Sequence, residues 1–344
     1  MKILFLHSGD RVPSSRFRVL PYVKHFRQAG HTCTAASSFP QKYDYFPWMG
    51  FRPSQLLKRS VRWWHWLRCF VGRYDVVIID RELFDTDCGS MEQRFRKICK
   101  HMILDVDDAV FLKFPDKFEQ TVRSCDMVLV GNSFLQEHVR AYNDQTLLLP
   151  TCVEMASYPA RDWSTESARP VVGWIGTAPN LQYFSVIAEA LRNVASQIDF
   201  ELRLVAPGDE PLNEIDLTGV NIKVIPWNGP TEVQELQRFD IGLMPLFPDQ
   251  EWDKYKCGLK LIQYMAVGVP GIASPVGVNA DIVENGRDGF LCRSTAEWEA
   301  ALVGLLSDAN RRQSVGQAAR ETASEHYSIE ANFPRFRKAL EALP

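Results

Sequence analysis

Several features that define common protein classes are missing from this sequence. Its eight cysteines form no CxxC pair, and its seven histidines show no spacing typical of metal ligands. No segment approaches the ~18 consecutive apolar residues of a membrane-spanning helix, and the apolar run at residues 2–6 is too short for a secretory leader. We therefore expect reduced thiols, a cytoplasmic location and no bound metal.

The sequence also lacks a strong charge imbalance and a nucleophile motif. It has 39 basic and 42 acidic residues and a net charge of -3, whereas nucleic-acid binding needs a strongly basic face. It contains no GxSxG motif. With 344 residues and 46% hydrophobic content, however, the chain can bury enough apolar surface for two domains. We therefore expect a two-domain protein with no nucleic-acid partner.

Apolar runs with strand character alternate with helical segments along the sequence. This alternation predicts βαβ units and parallel sheets in an α/β fold. The predicted strands are residues 2–6, 75–79, 102–106, 127–130 and 146–149, then 171–175, 201–205, 222–225, 241–244 and 271–274. The polar stretch at 151–169 lacks periodicity, so it predicts an interdomain linker. We predict domains at 1–155 and 168–329 and a last helix at about 330–344.

An amphipathic helix opened by Gly258 is the most informative feature of the second half. A helix N-terminus reached through a glycine presents free N–H groups that suit a phosphate or diphosphate. Lys260 lies in the first turn, where a cation opposes the helix dipole by ~0.3–1 kcal/mol unless an anion is bound. With Lys254 and Lys256 just upstream, these residues predict a diphosphate site. The alternative is that the lysines point into solvent.

These residues carry a resemblance to a known family. The runs GLKLIQYMAVGVP at 258–270 and SPVGVN at 274–279 resemble the donor-binding core of GT-B glycosyltransferases of retaining family 4, the glycosyl transferases group 1. The resemblance implies two Rossmann-like, doubly wound domains with a cleft between them, and a last helix that packs back on the first domain. It also implies sugar transfer with retention from a nucleoside-diphosphate sugar, without a metal or other cofactor. The implied acceptor is a glycan, lipid-linked or small molecule.

The sequence departs from the family pattern at two positions. The family has a glutamate three residues before the helix-opening glycine and another five residues after it, and here these are Tyr255 and Gln263. The resemblance implies that Tyr255 changes the contact with the donor sugar and that Gln263 hydrogen bonds the ribose. The family's usual Arg/Lys pair is also absent. The implied groups around the diphosphate are Gly258, Leu259, Lys256 and Lys260.

Two further positions are candidates for donor binding. Gly176 and Thr177 follow the strand predicted at 171–175, and ligands of open α/β folds bind at this carboxyl edge. Alternatively, they form an ordinary turn. Trp227 follows the strand predicted at 222–225, where the family holds the nucleotide base. The alternative is that this tryptophan covers the core.

The first domain is expected to bind the acceptor. Ser14, Ser15 and Arg16 follow the first strand, with Ser15 predicted as a helix N-cap. Arg16 is expected either to meet an anionic acceptor or to be solvated. Asp107 and Asp108 follow another predicted strand, and we assign Asp107 to catalysis and Asp108 to the acceptor. The alternatives are a DxD metal site and a simple N-cap.

Residues 52–73 form the most basic part of the sequence and contain no acid. On a helix, Lys58, Arg62 and His65 share one face, while Trp64 and other apolar residues share another. A basic helix with a tryptophan-rich side is typical of an anionic membrane surface, so we expect this partner and a peripheral position on the membrane. The alternative is a domain helix that packs its tryptophans inward.

Together, these features predict a glycosyltransferase of the hexosyl-transferring type. Two other functions remain open because both family glutamates are missing. One is a non-catalytic GT-B module that binds a nucleotide-sugar or glycan. The other is a GT-B epimerase that acts on the nucleotide-sugar itself.

Overall fold

The computed structural model describes residues 1–164 and 169–344, and its first sheet confirms the predicted parallel topology. Over these residues, the sheet has six parallel strands in the order β2-β1-β3-β4-β5-β6. The strands are β1 (Lys2–His7), β2 (Thr32–Ser37), β3 (Val76–Asp80), β4 (His101–Val106), β5 (Met127–Val130) and β6 (Thr146–Leu148). The strand β2 is not predicted from the sequence, since this edge strand is rich in threonine and alanine and has no large apolar side chain.

The second sheet also contains six parallel strands within the described residues. Their order is β12-β11-β10-β7-β8-β9. The strands are β7 (Val171–Ile175), β8 (Glu201–Ala206), β9 (Asn221–Pro226), β10 (Ile241–Met244), β11 (Gly271–Ala273) and β12 (Gly289–Leu291). In both sheets the strand order reverses beside the first strand, as in doubly wound folds. The predicted fold of two Rossmann-like domains is thus confirmed.

Helices connect the strands and cover the sheets. The α-helices are α1 (Leu20–Gln28), α2 (Phe51–Gly72), α3 (Ser90–Arg96), α4 (Pro115–Ser124), α5 (Ser133–Arg140), α6 (Ala188–Ala195), α7 (Glu232–Gln237), α8 (Glu251–Lys254), α9 (Leu259–Ala266), α10 (Asn279–Ile282), α11 (Thr295–Leu306), α12 (Ala309–His326) and α13 (Ile329–Glu341). A π-helical turn, Ser15–Val19, precedes α1, and a 3-10 helix, Ala178–Val186, precedes α6.

The chain divides into two compact units that differ from simple halves of the sequence. The first unit contains residues 1–152, 255–257 and 332–344, and the second contains 153–254 and 258–331. In the first unit, α13 places the Phe336 ring 5.2 Å from Tyr22 and 5.1 Å from Phe26. The predicted start of the second domain, residue 168, lies outside the described residues. The last helix is therefore part of the first unit's core.

The second unit packs its helices closely because glycines lie within the strands. A Cβ on Gly173 in β7 would be 2.1 Å from Cγ of Phe239. A Cβ on Gly242 in β10 would be 2.3 Å from Cδ2 of Tyr264, a residue of α9. Real Cβ atoms do not approach other atoms so closely, so these glycines let aromatic rings lie directly on the sheet.

The helix α2 has an orientation that contradicts the sequence-based interpretations. Its predicted basic face is buried, with Lys58 at 2%, Arg62 at 1% and His65 at 8% exposure. Lys58 Nζ donates to the Lys42 carbonyl at 2.6 Å, and Arg62 donates to the carbonyl of His7 at 2.8 Å. The basic face turns inward because these loop and strand-end carbonyls need donors.

The apolar face of α2 is exposed instead. We call the exposed residues Leu56, Trp63, Trp64, Leu67, Phe70 and Val71 the α2 ridge. Trp64 is 62% exposed and Val71 is 73% exposed, so the interpretation that the tryptophans pack inward is wrong. Within residues 1–164 and 169–344, no helix combines the length and the apolar character needed to cross a membrane.

Candidate functional site

The candidate residues of the second unit gather around the N-terminus of α9. Gly258 has a φ of +62°, a left-handed conformation that glycine adopts without strain, and its backbone leads directly into the helix. A Cβ at this position would be 2.2 Å from Cδ1 of Ile282. Gly258 has no side chain to cap α9. The N–H group of Leu259 therefore lies at the uncapped start of the helix.

Lys260 and Gly176, which were predicted separately, are neighbours in the structure. Cε of Lys260 is 3.0 Å from where a Cβ on Gly176 would lie, and its Nζ is 5.4 Å from the ring centroid of Trp174. Thr177 is exposed at the start of the following 3-10 helix, where its hydroxyl accepts a hydrogen bond from Asn180. The carboxyl end of β7 and the first turn of α9 thus form one cationic corner.

A buried carboxylate connects Trp227 and Gln263. The amide of Gln263 donates to Glu232 Oε1 at 2.9 Å and to the Tyr158 hydroxyl at 3.2 Å. Trp227 Nε1 donates to Glu232 Oε2 at 2.7 Å. Gln263 is only 4% exposed and Glu232 only 3%, so the glutamine amide is engaged in the protein interior. Sequence reasoning missed Glu232, although an acid in the first turn after β9 is a visible signal.

The aspartates of the DxD-like string are paired with arginines in the first unit. Arg18 donates from Nη2 to Asp105 Oδ1 at 2.6 Å and from Nε to Oδ2 at 2.9 Å. Arg81 binds Asp107 through two hydrogen bonds and lies 3.6 Å from Asp108. Arg81 has a φ of +58°, which is uncommon for a residue with a side chain. In the described part of the chain, no three His, Cys, Asp or Glu side chains are grouped to hold a metal ion.

Burial and the arginine act in opposite directions on these carboxyls. Burial alone would raise the pKa of Asp107, but the Arg81 guanidinium lowers it below its ordinary value. Burial raises the pKa of Asp108, against the opposing effect of Arg81. Asp108 accepts a hydrogen bond from the Ala109 N–H, yet it does not cap the following 3-10 helix, so the N-cap interpretation is wrong.

The serines predicted at the acceptor site are buried and bonded to a carboxylate. The hydroxyls of Ser14 and Ser15 donate to Asp80 Oδ2 at 3.1 and 2.9 Å. Ser15 was predicted as an N-cap, but it lies inside the π-helical turn and caps nothing, because Asp80 takes its hydroxyl. The Arg16 guanidinium lies 5.0 Å from the Phe17 ring centroid. Among these three residues, only Arg16 is not buried.

The residues just before Gly258 belong to the first unit, which differs from the predicted domain assignment of Tyr255. The Tyr255 ring is 8% exposed and lies 4.9 Å from Phe111, where it is part of an aromatic cluster. Asn132 Nδ2 donates to the Tyr255 carbonyl at 2.9 Å. Lys256 is close enough to Asp108 to oppose the rise in its pKa. Tyr255 therefore packs in the first unit, whereas Lys256 adds a cation near Asp108.

Comparisons with known sequences find similarity to one family over part of the chain. The model of the family Glycosyl transferases group 1 matches residues 169–308. The N-acetyl-alpha-D-glucosaminyl L-malate synthase of Bacillus anthracis is 23% identical over 231 residues, covering 66% of this chain and 56% of that protein. A D-inositol 3-phosphate glycosyltransferase of Corynebacterium aurimucosum is 26% identical over 273 residues, covering 72% and 59%. The chain thus spans little more than half the length of these relatives.

Solved structures support the same fold over the whole chain. Sucrose-phosphate synthase from Thermosynechococcus elongatus superposes with a TM-score of 0.75 at 15% identity, covering 99% of this chain and 98% of that one. HepE of Anabaena, solved in complex with UDP-glucose, has a TM-score of 0.68 at 13% identity and full coverage of both chains. At such low identity, these likenesses concern the fold alone. The chain has the GT-B fold, and its residues 169–308 match the model of the family Glycosyl transferases group 1.

Proposed function

We propose that this protein is a glycosyltransferase of the retaining family 4 type, which moves a hexosyl group from a nucleoside-diphosphate sugar to a glycan, lipid-linked or small-molecule acceptor. The observation that carries the proposal is the cationic corner of the second unit, where Lys260 in the first turn of α9 adjoins Gly176 after β7. A lysine at a helix N-terminus opposes the dipole. An anion bound there turns this repulsion into a favourable interaction for both groups.

In the proposed reaction, the bond between the anomeric carbon and the diphosphate oxygen breaks while the acceptor oxygen bonds to the same face of that carbon. The departing phosphate accepts the acceptor proton, so no protein nucleophile is needed. Lys260, the N–H groups at Gly258 and Leu259, and Lys256 stabilise the negative charge on the leaving group. This arrangement needs no divalent metal, because cations of the protein supply the charge.

The donor's nucleoside is proposed to bind beside Trp227 and Gln263. Glu232 holds both side chains through its two carboxylate oxygens. Glu232 thereby fixes the orientation of the Trp227 indole, against which the nucleotide base is proposed to lie.

The acceptor is proposed to bind to the first unit. Arg16 and Asp108 offer polar groups for its hydroxyl or anionic groups, Asp107 orients it, and Ser14 and Ser15 act indirectly by holding Asp80. A lipid-linked acceptor fits the α2 ridge, since exposed tryptophan and phenylalanine side chains suit a membrane interface. We therefore propose a cytoplasmic protein that associates peripherally with an anionic membrane surface.

A donor screen followed by turnover tests this function. Nucleotides and nucleotide-sugars, beginning with UDP-glucose, are ranked by the rise in melting temperature, since a ligand of the native state stabilises it. Release of nucleoside diphosphate is then measured with and without an acceptor panel. Transfer or donor hydrolysis supports the transferase. Stabilisation without turnover would indicate a binding module, and a new nucleotide-sugar formed without acceptor would indicate an epimerase.

A further inference from the structure

A buried carboxylate determines which end of the Gln263 amide faces the proposed donor site. Gln263 Nε2 donates to Glu232 Oε1 at 2.9 Å and to the Tyr158 hydroxyl at 3.2 Å. An amide oxygen in the same place would repel the carboxylate, so only the NH₂ group can point towards Glu232. The amide oxygen of Gln263, Oε1, therefore points away from Glu232.

The oxygen of the Gln263 amide is available to a ligand. Within the described residues, this oxygen accepts no hydrogen bond, and it is not fully enclosed by protein. The two hydrogens of the NH₂ group are engaged by the two acceptors, Glu232 and Tyr158. Gln263 can therefore accept a hydrogen bond from a ligand but cannot donate one to it.

Gln263 lies between the two ends of the proposed nucleotide site. It follows Gly258 by five residues on α9, which places it about 7.5 Å along the helix from the proposed diphosphate site. On its other side, Trp227 Nε1 donates to the second oxygen of Glu232 at 2.7 Å. In a nucleotide, the ribose separates the diphosphate from the base. A ribose hydroxyl is therefore the donor group that suits the Gln263 oxygen.

Glu232 acts on this oxygen only through Gln263. Glu232 begins α7 and is 3% exposed, and each of its carboxylate oxygens accepts from a side chain. A buried carboxylate needs such hydrogen bonds to offset the loss of its hydration. The carboxylate is thus held in place, and it in turn holds the amide of Gln263 in one orientation.

We propose that Glu232 is a positioning residue that makes Gln263 an obligate hydrogen-bond acceptor, so that the site selects nucleoside diphosphates with an intact ribose. This role rests on the proposed function, since it requires that a nucleotide binds beside Trp227. A ligand that lacks the hydroxyl leaves the Gln263 oxygen without a donor and loses affinity for that reason.

Calorimetric titration of the full chain with UDP, ADP and GDP tests this role. The nucleotide that binds most tightly is then compared with its 2′-deoxy and 3′-deoxy analogues. At least one analogue should bind the wild type about five- to tenfold more weakly, as expected for one hydrogen bond. In Glu232→Gln the amide of Gln263 can turn over, so this difference should shrink to within about twofold. Glu321→Gln makes the same change at an exposed site on α12 and should keep the wild-type difference.

Exchanging the two side chains provides a rescue. In Glu232→Gln/Gln263→Glu, the new amide donates to the new carboxylate and accepts from Trp227 Nε1. A carboxylate oxygen is then left for the ribose, so the difference should return to at least about fivefold. Gln263→Glu alone places two carboxylates face to face and should lower the melting temperature.

The possible results distinguish this role from the proposed function. No binding of any of the three nucleotides would overturn both. Equal affinity for the deoxy analogues, an unchanged difference in Glu232→Gln or no recovery in the exchanged protein would overturn the positioning role alone. A purely structural role would weaken binding of the ribonucleotide and its analogues alike. Melting curves show whether each variant is folded, and Glu232→Asp, which withdraws the carboxylate by one methylene, replaces Glu232→Gln if that variant is not.

Discussion

At the residue scale, we predict that replacing Lys260 lowers activity without destabilising the fold. Lys260→Ala should lower turnover by about 10²–10³-fold, as expected for one preorganised group that stabilises transition-state charge. Its melting temperature should not fall, because removing a cation from the first turn of α9 relieves repulsion with the helix dipole. Kinetic constants and melting curves are compared with those of Lys223→Ala, an exposed lysine on β9. Unchanged turnover would refute the role, and a collapsed melting temperature would show a structural one.

Gly131 packs against the segment before Gly258, and we predict that a side chain at this position destabilises the protein. A Cβ on Gly131 would lie 2.3 Å from Cys257 Sγ, so Gly131→Ala should destabilise the protein by about 1–3 kcal/mol. Replacing the sulfur in Gly131→Ala/Cys257→Ala should recover part of this loss. Urea unfolding of the wild type, both single variants and the double variant gives the coupling energy. Strict additivity would mean that the two residues do not touch.

Because His65 is buried, we predict that the stability of the folded protein depends on pH. Burial, with Arg62 and Arg68 nearby, lowers the pKa of His65 to about 4. Between pH ~6.5 and pH ~4, the unfolded chain binds a proton that the folded chain excludes, so stability falls as the pH falls through this window. The loss due to His65 should be about 1–3 kcal/mol.

His65→Gln tests this assignment because glutamine does not titrate. Urea unfolding at several pH values between 4 and 7 should show a smaller acid-induced loss for the variant than for the wild type. Parallel curves over this range would show that His65 does not contribute.

The sequence suggests several candidate site residues but cannot show their partners. Gly258, Lys260 and Gly176 are candidates because a glycine before an amphipathic helix and the end of a strand are local patterns. Tyr255 was assigned to the donor from its distance to Gly258, yet Asn132, its partner, is 123 residues away in sequence. Contacts over such separations leave no periodic signal.

At the element scale, we predict that α2 contacts a membrane mainly through its apolar side chains. Trp64→Ser/Phe70→Ser should remove most binding to vesicles with anionic lipid, because it takes two large exposed side chains from the α2 ridge. Charge should contribute less than on a fully exposed basic helix, since Lys58 and Arg62 are buried. Arg52, Arg59, Arg68 and Arg73 face solvent. Flotation with these vesicles at low and high salt measures the apolar and the electrostatic contributions to binding.

Leu112→Ser, at an exposed apolar residue outside α2, is the matched control for flotation. Absence of co-flotation of the wild type at low salt would exclude the membrane contact. Dimer formation that the ridge substitutions abolish would instead assign the ridge to a protein partner.

Helical periodicity predicted the extent of α2 but not its buried face. Amphipathic patterns are interpreted by placing the apolar stripe inward. Here the stripe with Lys58, Arg62 and His65 is buried because backbone carbonyls accept from two of its cations. The need of these carbonyls for hydrogen-bond donors therefore outweighed the usual preference for burying the apolar face of a helix. The long apolar strands were predictable, whereas β2, with its small and polar side chains, was not.

At the scale of the whole molecule, we predict that activity does not require a divalent metal. Asp105 and Asp107 have arginine partners in the first unit, so their carboxylates already have counterions. Turnover of metal-stripped protein should be the same with and without EDTA, within about twofold. Activity that EDTA abolishes and that Mg²⁺ or Mn²⁺ restores would contradict this prediction.

The placement of α13 has a consequence for how the protein is made. Phe333 and Phe336 pack on Phe26, yet the ribosome reaches them only after it has synthesised the whole second unit. Domains usually fold as units during synthesis, the N-terminal one first. Here the first unit must wait, with the apolar surface around Phe26 uncovered, while about 180 further residues emerge. A nascent chain that stalls in this interval is the form that chaperones would have to protect from aggregation.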